Sequence, residues 1–174
     1  MTRNGGLFAL VQDVCGAEEA AWLFDRLQIP AAVSDWQGAA VPRAAMAMAL
    51  NLLLYRDLVD AVPAAQDYVR LAEAEGRKIT FDHGALRTIL FEDGSDTDGH
   101  WAFDRFLVPL GYAVAADYPL PRLKMTGRAY CHLDAAEDVP QFFVSELHVD
   151  QFSADFAKAA HNVFDSWADP LDAG

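Results

Sequence analysis

The residue pattern changes at Lys78, and this change constrains the fold more than any other feature of the 174-residue chain. Before Lys78, apolar residues recur at helical spacing, and prolines and glycines stand where helices end. Three helices are expected there, at about 17–27, 42–59 and 64–74. After Lys78, short runs rich in β-branched and aromatic residues alternate with turn residues, which is typical of strands. We therefore predict an α+β protein with a helical region at 1–77 and a strand-rich region at 78–174, together forming one compact domain.

The strand-rich region is predicted to hold one helix among four strands. A first strand segment covers about 79–90 and is interrupted at 82–84. An acidic, glycine-containing loop then leads to a helix at 101–108. Three strands are expected after this helix, at 112–117, 123–133 and 141–149, with breaks at prolines between them. A closing helix is expected at 153–167. The expected order is βαβββ followed by a C-terminal helix.

The charge balance excludes some classes of partner. The chain has 26 acidic residues against 13 basic ones, a formal net charge of −13. A field of that sign repels phosphate backbones and anionic lipid, so we expect neither nucleic-acid nor membrane binding. We recognise no secretory leader and no apolar run of about 18 residues, and therefore expect a cytoplasmic protein. An anionic substrate would need a local cation, which draws attention to each arginine in a pocket.

His83 and Arg87 form the first pair with chemical potential. If the segment around them is extended, two residues four apart project from the same side of the strand. A neutral imidazole binds Fe(II) or Zn(II), and a guanidinium can hold a carboxylate through two parallel hydrogen bonds. The pair would suit a metal-chelating substrate that carries a carboxylate. Spacing alone nevertheless favours a structural role, with a hydrogen-bonded histidine at a strand end and an arginine in a surface ion pair.

Glu146 is the second candidate. Strand alternation places it with Val144 and His148 on one side of the predicted last strand, opposite Phe143 and Ser145. An acidic residue in an apolar strand is costly to bury unless it is paired or bound to a metal. Glu146 is therefore a secondary candidate for a metal ligand, whereas His148 is expected to be exposed at the end of the strand.

Several segments together resemble one enzyme family. Residues 82–88 read Asp-His-Gly-Ala-Leu-Arg-Thr and are similar to a D/H-H-x-x-L-R-T motif. Leu-Gly-Tyr at 110–112 and Tyr-Pro-x-Pro-x-Leu-Lys at 118–124 follow. Residues 143–153 match F-[IV]-S-E-L-x-V-D-x-[LF]-S. These motifs, spread over about 78–153, resemble the amino-terminal half of the 2-oxoadipate dioxygenase/decarboxylase family, whose fold is like that of the vicinal-oxygen-chelate enzymes.

The resemblance implies an oxidoreductase that uses Fe(II) and O₂ on a small 2-oxo dicarboxylic acid. Members of the family decarboxylate 2-oxoadipate and hydroxylate the product to 2-hydroxyglutarate in lysine catabolism. His83 would correspond to a metal-binding histidine, in contact with the substrate, and Arg87 to the arginine that holds the substrate carboxylate. Glu146 lies on the last strand of the module, where related vicinal-oxygen-chelate enzymes can place a carboxylate ligand.

The chain also departs from the family. Its members continue into a second module, which supplies another histidine and a glutamate, and nothing in these 174 residues matches that half. Three interpretations stay open. The chain can be part of a longer enzyme, which we favour, or a half-length protein that completes its site in a homodimer. The third is a non-catalytic module that binds a small ligand or dimerises.

Overall fold

The computed structural model describes residues 5–91 and 99–164 and confirms the mixed α+β architecture. Five helices precede the first strand, and the βαβββ order with a closing helix follows. The elements are α1 Gly6–Cys15, α2 Ala17–Arg26, α3 Ala31–Ser34, α4 Arg43–Ala61, α5 Pro63–Ala74, β1 His83–Leu90, α6 Trp101–Leu107, β2 Tyr112–Leu120, β3 Met125–His132, β4 Gln141–His148 and α7 Ala154–Phe164.

The helix ends follow local chemistry. Glu18 and Glu19 lie in the first turn of α2 and Arg26 in its last, which is the charge order that favours a helix. Pro63 is the first residue of α5. Proline is tolerated at this position because the first N–H groups of a helix have no partner within the helix. The helix therefore starts one residue before the predicted position. The short helices α1 and α3 were not among the individually predicted elements.

The sheet has the strand order β1-β4-β3-β2. Strands β1 and β4 are parallel, whereas β3 pairs antiparallel with both β4 and β2. Two expected strand limits were wrong. β1 begins at His83, so the expected strand residues before Asp82 lie outside it, and only Ile79 forms an isolated bridge, with Leu27. β2 continues through Pro119 to Leu120. A proline is tolerated there because β2 is an edge strand, with a neighbour on one side only.

One face of the sheet packs against the helices and forms the core. Tyr112, Phe142 and Val144 are buried in one hydrophobic cluster with residues of α1, α2 and α4. The Tyr112 hydroxyl donates to the Pro140 carbonyl at 3.0 Å and accepts from the Asn51 amide at 2.9 Å, which joins α4 to the sheet. Burial raises the pKa of Tyr112 to about 12. The core thus draws on both predicted regions, while the boundary at residue 77 stays a prediction.

The closing helix begins as expected, since the Ser153 hydroxyl accepts the amide hydrogen of Phe156 at 3.3 Å. Its predicted end at residue 167 and the acidic loop at 92–98 lie outside the described residues. Among the helices formed by residues 5–91 and 99–164, none is both long and apolar enough to cross a bilayer.

Candidate active site on the open face of the sheet

The sheet face opposite the core carries His83 and Arg87, and we call it the open face. β1 is a regular strand, so the two residues project from the same side, with Ala85 between them. In the parallel register His83 lies opposite Gln141 and Arg87 opposite Ser145 of β4. His83, Ala85, Arg87 and Gln141 are all exposed. The open face therefore presents an imidazole and a guanidinium on one strand, as the sequence predicted.

His83 contacts the carboxylate of its neighbour. Its Nδ1 lies 2.6 Å from Asp82 Oδ2. An ionised carboxylate only accepts hydrogen bonds, so the proton of this contact is carried by Nδ1. In the neutral ring, the other nitrogen, Nε2, then has the lone pair that a metal ion needs. The His83 side chain is 54% exposed, which leaves it accessible from the open face.

A cavity of about 200 Å³ lies beside His83, lined by Tyr118, Ala129, Gln141, Phe142 and Phe143. The Phe143 ring covers Gly127 of β3: a Cβ atom on Gly127 would lie 2.2 Å from the ring. Glycine is therefore required for Phe143 to lie across the strand. The Tyr118 and Phe143 rings are 5.8 Å apart and form an aromatic wall next to the imidazole.

Arg87 lies further along the same strand. Its Nη1 is 3.7 Å from the Met125 sulfur, which is a weak contact. Within the part of the chain that the structure describes, no carboxylate pairs with the Arg87 guanidinium. The surface ion pair considered for Arg87 from sequence is therefore not formed with any described residue. An exposed guanidinium without a carboxylate partner among the described residues can bind an anionic ligand by donating hydrogen bonds to it.

Glu146 is on the other face, and the structure does not bring it to His83. It lies opposite Thr88 in the register and is 1% exposed. Its Oε2 accepts from the backbone N–H of His100 at 2.8 Å and lies 3.0 Å from the His100 ring Nδ1. Its Oε1 accepts from Arg128 at 3.1 Å. The sequence led us to expect that a buried Glu146 would be either paired with polar groups or bound to a metal. The structure shows it paired with His100 and Arg128, so we do not propose it as a metal ligand.

The contacts of Glu146 also set its ionisation. Burial alone would raise the pKa of its carboxyl, but hydrogen bonds from His100 and the charge of Arg128 outweigh burial and lower that pKa. His148, expected to be exposed, is instead half-buried, with Nε2 2.9 Å from the Thr126 hydroxyl. Sequence reasoning missed His100 altogether, because its contact with Glu146 spans 46 residues.

The described residues do not provide a complete set of metal ligands. No group of three or more histidine, cysteine, aspartate or glutamate side chains able to hold a metal occurs within 5–91 and 99–164. The imidazole of His83 is a side chain of the type that binds Fe(II), and a complete ligand set would need residues from outside the described ones.

A larger cavity of about 370 Å³ lies between the helices and the sheet end that carries Asp82. Its lining includes Met48, Leu52 and the segment 136–141. No histidine, cysteine, lysine or arginine is among its lining residues. It therefore offers neither a nitrogen ligand for a metal nor a cation for an anionic substrate, and the open face is the better candidate site.

The sequence matches no protein-family model and no curated protein. Solved structures do match. A provisionally assigned glyoxalase-superfamily protein from Ralstonia eutropha JMP134 is 40% identical over 98% of this chain, with a TM-score of 0.88. This likeness, together with the mixed α+β architecture, supports placement in the glyoxalase, or vicinal-oxygen-chelate, superfamily.

Two more distant structures share the fold. A provisionally assigned hydrolase from Shewanella frigidimarina NCIMB 400 is 23% identical over 80% of this chain, with a TM-score of 0.57. Hydroxyglutarate synthase from Oryza sativa, solved in complex with 2-oxoadipate, is 20% identical over 73%, with a TM-score of 0.59. The chain spans about half the length of all three structures, namely 53%, 50% and 45%.

Proposed function

We propose that this chain supplies half of an Fe(II)-dependent site that decarboxylates and oxygenates a 2-oxo dicarboxylic acid. The observation that carries the proposal is that His83 and Arg87 project from one face of one strand. Within the described residues, the Nε2 atom of His83 and the guanidinium of Arg87 both lack a charged partner. The fold shared with hydroxyglutarate synthase, which holds 2-oxoadipate in its crystal structure, supports the choice of substrate class.

His83 acts as a metal ligand through Nε2. Imidazole is a good ligand for Fe(II), and two histidines with one carboxylate are a common ligand set of Fe(II) oxygenases. Bound Fe(II) would supply a centre that a 2-oxo acid can chelate through its keto and carboxylate oxygens while O₂ is activated. This chain provides one of the ligands, and the others belong to residues beyond those described.

Arg87 holds a substrate carboxylate. The guanidinium donates two parallel hydrogen bonds in a fixed geometry, which gives both orientation and charge complementarity. Four residues of extended strand separate the Cα atoms of His83 and Arg87 by about 13 Å. The residue between them on this face is Ala85, whose small side chain leaves room for a short aliphatic substrate chain.

The aromatic wall shapes the region beside His83. The rings of Tyr118 and Phe143 form apolar surface on one side of the cavity. A substrate that packs against these rings displaces water from that side. Gln141, which lies opposite His83, offers an amide that can donate to a carboxylate or keto oxygen. Together these residues orient the acid while the apolar wall limits access of water to it.

The overall reaction balances without a further reductant. When the bond between the carboxylate carbon and the keto carbon breaks, CO₂ leaves. One oxygen atom of O₂ completes the new carboxylate, and the other becomes a hydroxyl on the adjacent carbon. The 2-oxo acid supplies all four electrons that O₂ accepts, so 2-oxoadipate and O₂ give 2-hydroxyglutarate and CO₂.

A second module is needed to complete this site. The open face presents an exposed aromatic side chain and half-buried apolar ones, including Tyr118, Phe143 and Leu147. The matched part makes up only 53%, 50% and 45% of the three similar structures, so each of them extends well beyond it. We propose that the second module covers the open face and adds the remaining ligands, either from the same polypeptide or from a second copy. Iron content measured together with oligomeric state distinguishes these two arrangements.

The test is oxygen consumption by the full-length protein loaded with Fe(II), with 2-oxoadipate as the acid and heavy-isotope O₂. The proposal expects one CO₂ for each O₂ and two labelled oxygen atoms in the hydroxy acid. A protein that binds 2-oxoadipate without consuming O₂ would instead be a small-ligand-binding module. Full activity in His83→Ala would show that His83 is not a ligand.

A further inference from the structure

We infer that Asp82 is a positioning residue that fixes the tautomer and orientation of the His83 imidazole, so that Nε2 is presented to a metal. The inference rests on the proposed function of His83 as a ligand. Asp82 does not contact the metal or the substrate in this account and acts only through His83.

Asp82 Oδ2 lies 2.6 Å from His83 Nδ1, which is short for a hydrogen bond between nitrogen and oxygen. A carboxylate has no proton to donate, so this contact is made only when Nδ1 carries one. In a neutral imidazole the lone pair is then on Nε2, the nitrogen farther from Asp82. The contact therefore selects the tautomer that a metal needs.

The backbone of Asp82 is hydrogen-bonded to β4. The Asp82 carbonyl accepts the backbone N–H of Gln141 at 3.3 Å, and Gln141 lies opposite His83 in the register. The carboxylate and the imidazole thus start from adjacent positions that are both attached to β4. Because β4 is an interior strand of the sheet, this hydrogen bond holds the Asp82 backbone next to the strand, beside the start of β1.

The other residues that line the cavity beside His83 are uncharged, namely Tyr118, Ala129, Gln141, Phe142 and Phe143. Within the described part of the chain, Asp82 is therefore the charged group found in contact with the ring. The Asp82 side chain is 90% exposed, so solvent screens the pair and its effect on folding stability is small. The expected effect is on ring orientation and on ligand strength.

The experiment begins with the metal-free full chain, in which the histidine ring nitrogens are isotope-labelled. Two-dimensional NMR that correlates ring nitrogens with ring hydrogens reports which nitrogen of His83 is protonated, with signals assigned by comparison with His83→Gln. The wild type is expected to hold the Nδ1–H tautomer. Asp82→Ala is expected to shift the population towards Nε2–H, and Asp82→Asn, whose carbonyl oxygen still accepts, should restore Nδ1–H.

The same variants are then titrated with Co(II) as a spectroscopic substitute for Fe(II). Loss of a carboxylate behind a metal-ligating histidine typically weakens metal binding by about 10- to 100-fold, and we expect this for Asp82→Ala. Asp13→Ala is the matched control, because it removes an exposed acid from α1 and leaves the sheet unchanged. It should alter neither the tautomer nor the affinity.

The outcomes separate the two claims. An unchanged His83 tautomer in Asp82→Ala would overturn the inference, as would unchanged Co(II) affinity in a protein whose wild type binds the metal. If the wild type holds the Nδ1–H tautomer through Asp82 but binds no Co(II) or Fe(II), the proposed function fails while control of the tautomer by Asp82 stands.

Discussion

Arg87 and Glu146 lie on neighbouring parallel strands but on opposite faces of the sheet. Arg87 is opposite Ser145 in the register, whereas Glu146 is opposite Thr88. Because side chains alternate along a strand, this offset of one residue separates the two charges. Among the described residues, Arg87 has no carboxylate partner on the open face, whereas Glu146 accepts hydrogen bonds from His100 and Arg128 on the packed face. Arg87 thus lies on the exposed side of the sheet and Glu146 on the buried side.

Replacing Arg87 by alanine should weaken binding of the 2-oxo acid without affecting folding. Hydrogen bonds to charged groups contribute about 1.5–3 kcal/mol, which corresponds to about 10- to 150-fold in affinity. The measurement is binding of 2-oxoadipate to the Fe(II)-loaded full-length protein by calorimetry. Arg122→Ala, which removes another exposed arginine, is the matched control. If Arg87→Ala retained full affinity and turnover, the carboxylate clamp would be wrong.

Replacing Glu146 by glutamine should destabilise the fold. The change leaves Arg128 and His100 without the carboxylate that accepts from both. Removing one partner of a buried ion pair costs about 3–5 kcal/mol. Urea unfolding of the wild type, Glu146→Gln and the exposed control Glu137→Gln measures the difference. An unfolding free energy equal to that of the control would mean that the buried network contributes nothing to stability.

The Glu146 effect should depend on pH in a defined direction. The pKa of this carboxyl is lowered in the folded protein from its ordinary value of 4.5. The stabilisation is therefore complete above the unfolded pKa and is lost as pH falls through the folded pKa. The difference in unfolding free energy between wild type and Glu146→Gln should be constant near neutral pH and shrink below about pH 4.5. A difference that grows on acidification would contradict the assigned direction of the shift.

Gly127 should be intolerant of a side chain because Phe143 lies across it. A Cβ atom there would be 2.2 Å from the Phe143 ring, so the ring must move. Overpacking of this kind costs about 1–3 kcal/mol, and we expect that loss for Gly127→Ala. The matched test is a double-mutant cycle with Phe143→Leu, measured by urea unfolding. The smaller side chain should relieve the clash, so strictly additive effects would show that the two residues do not interact.

Strand alternation explains why the two faces could be predicted. Because side chains alternate along a strand, the sequence alone predicts that His83 and Arg87 lie on one face of β1, and that Glu146, Val144 and His148 lie on one face of β4. The limits of the strands were less predictable. Pro119 indicated a break, but its position on an edge strand, which only the sheet order reveals, allows the strand to continue.

The burial of Glu146 could be anticipated, but its partners could not. Sequence indicated that an acid in an apolar strand must be paired or bound to a metal. The choice between these depends on His100 and Arg128, which are 46 and 18 residues away and reach the carboxylate only in the folded chain. The aromatic wall was missed for the same reason, because Tyr118 and Phe143 meet across β3 over Gly127.

The central claim, that His83 and Arg87 belong to one Fe(II) and 2-oxo-acid site, is tested most directly by anaerobic titration. Fe(II)-loaded full-length protein is titrated with 2-oxoadipate while visible absorption reports chelation of the metal by the acid. We predict a saturable absorption band in the wild type, no band in His83→Ala, and a band at higher acid concentration in Arg87→Ala. An identical titration in all three proteins would contradict the account.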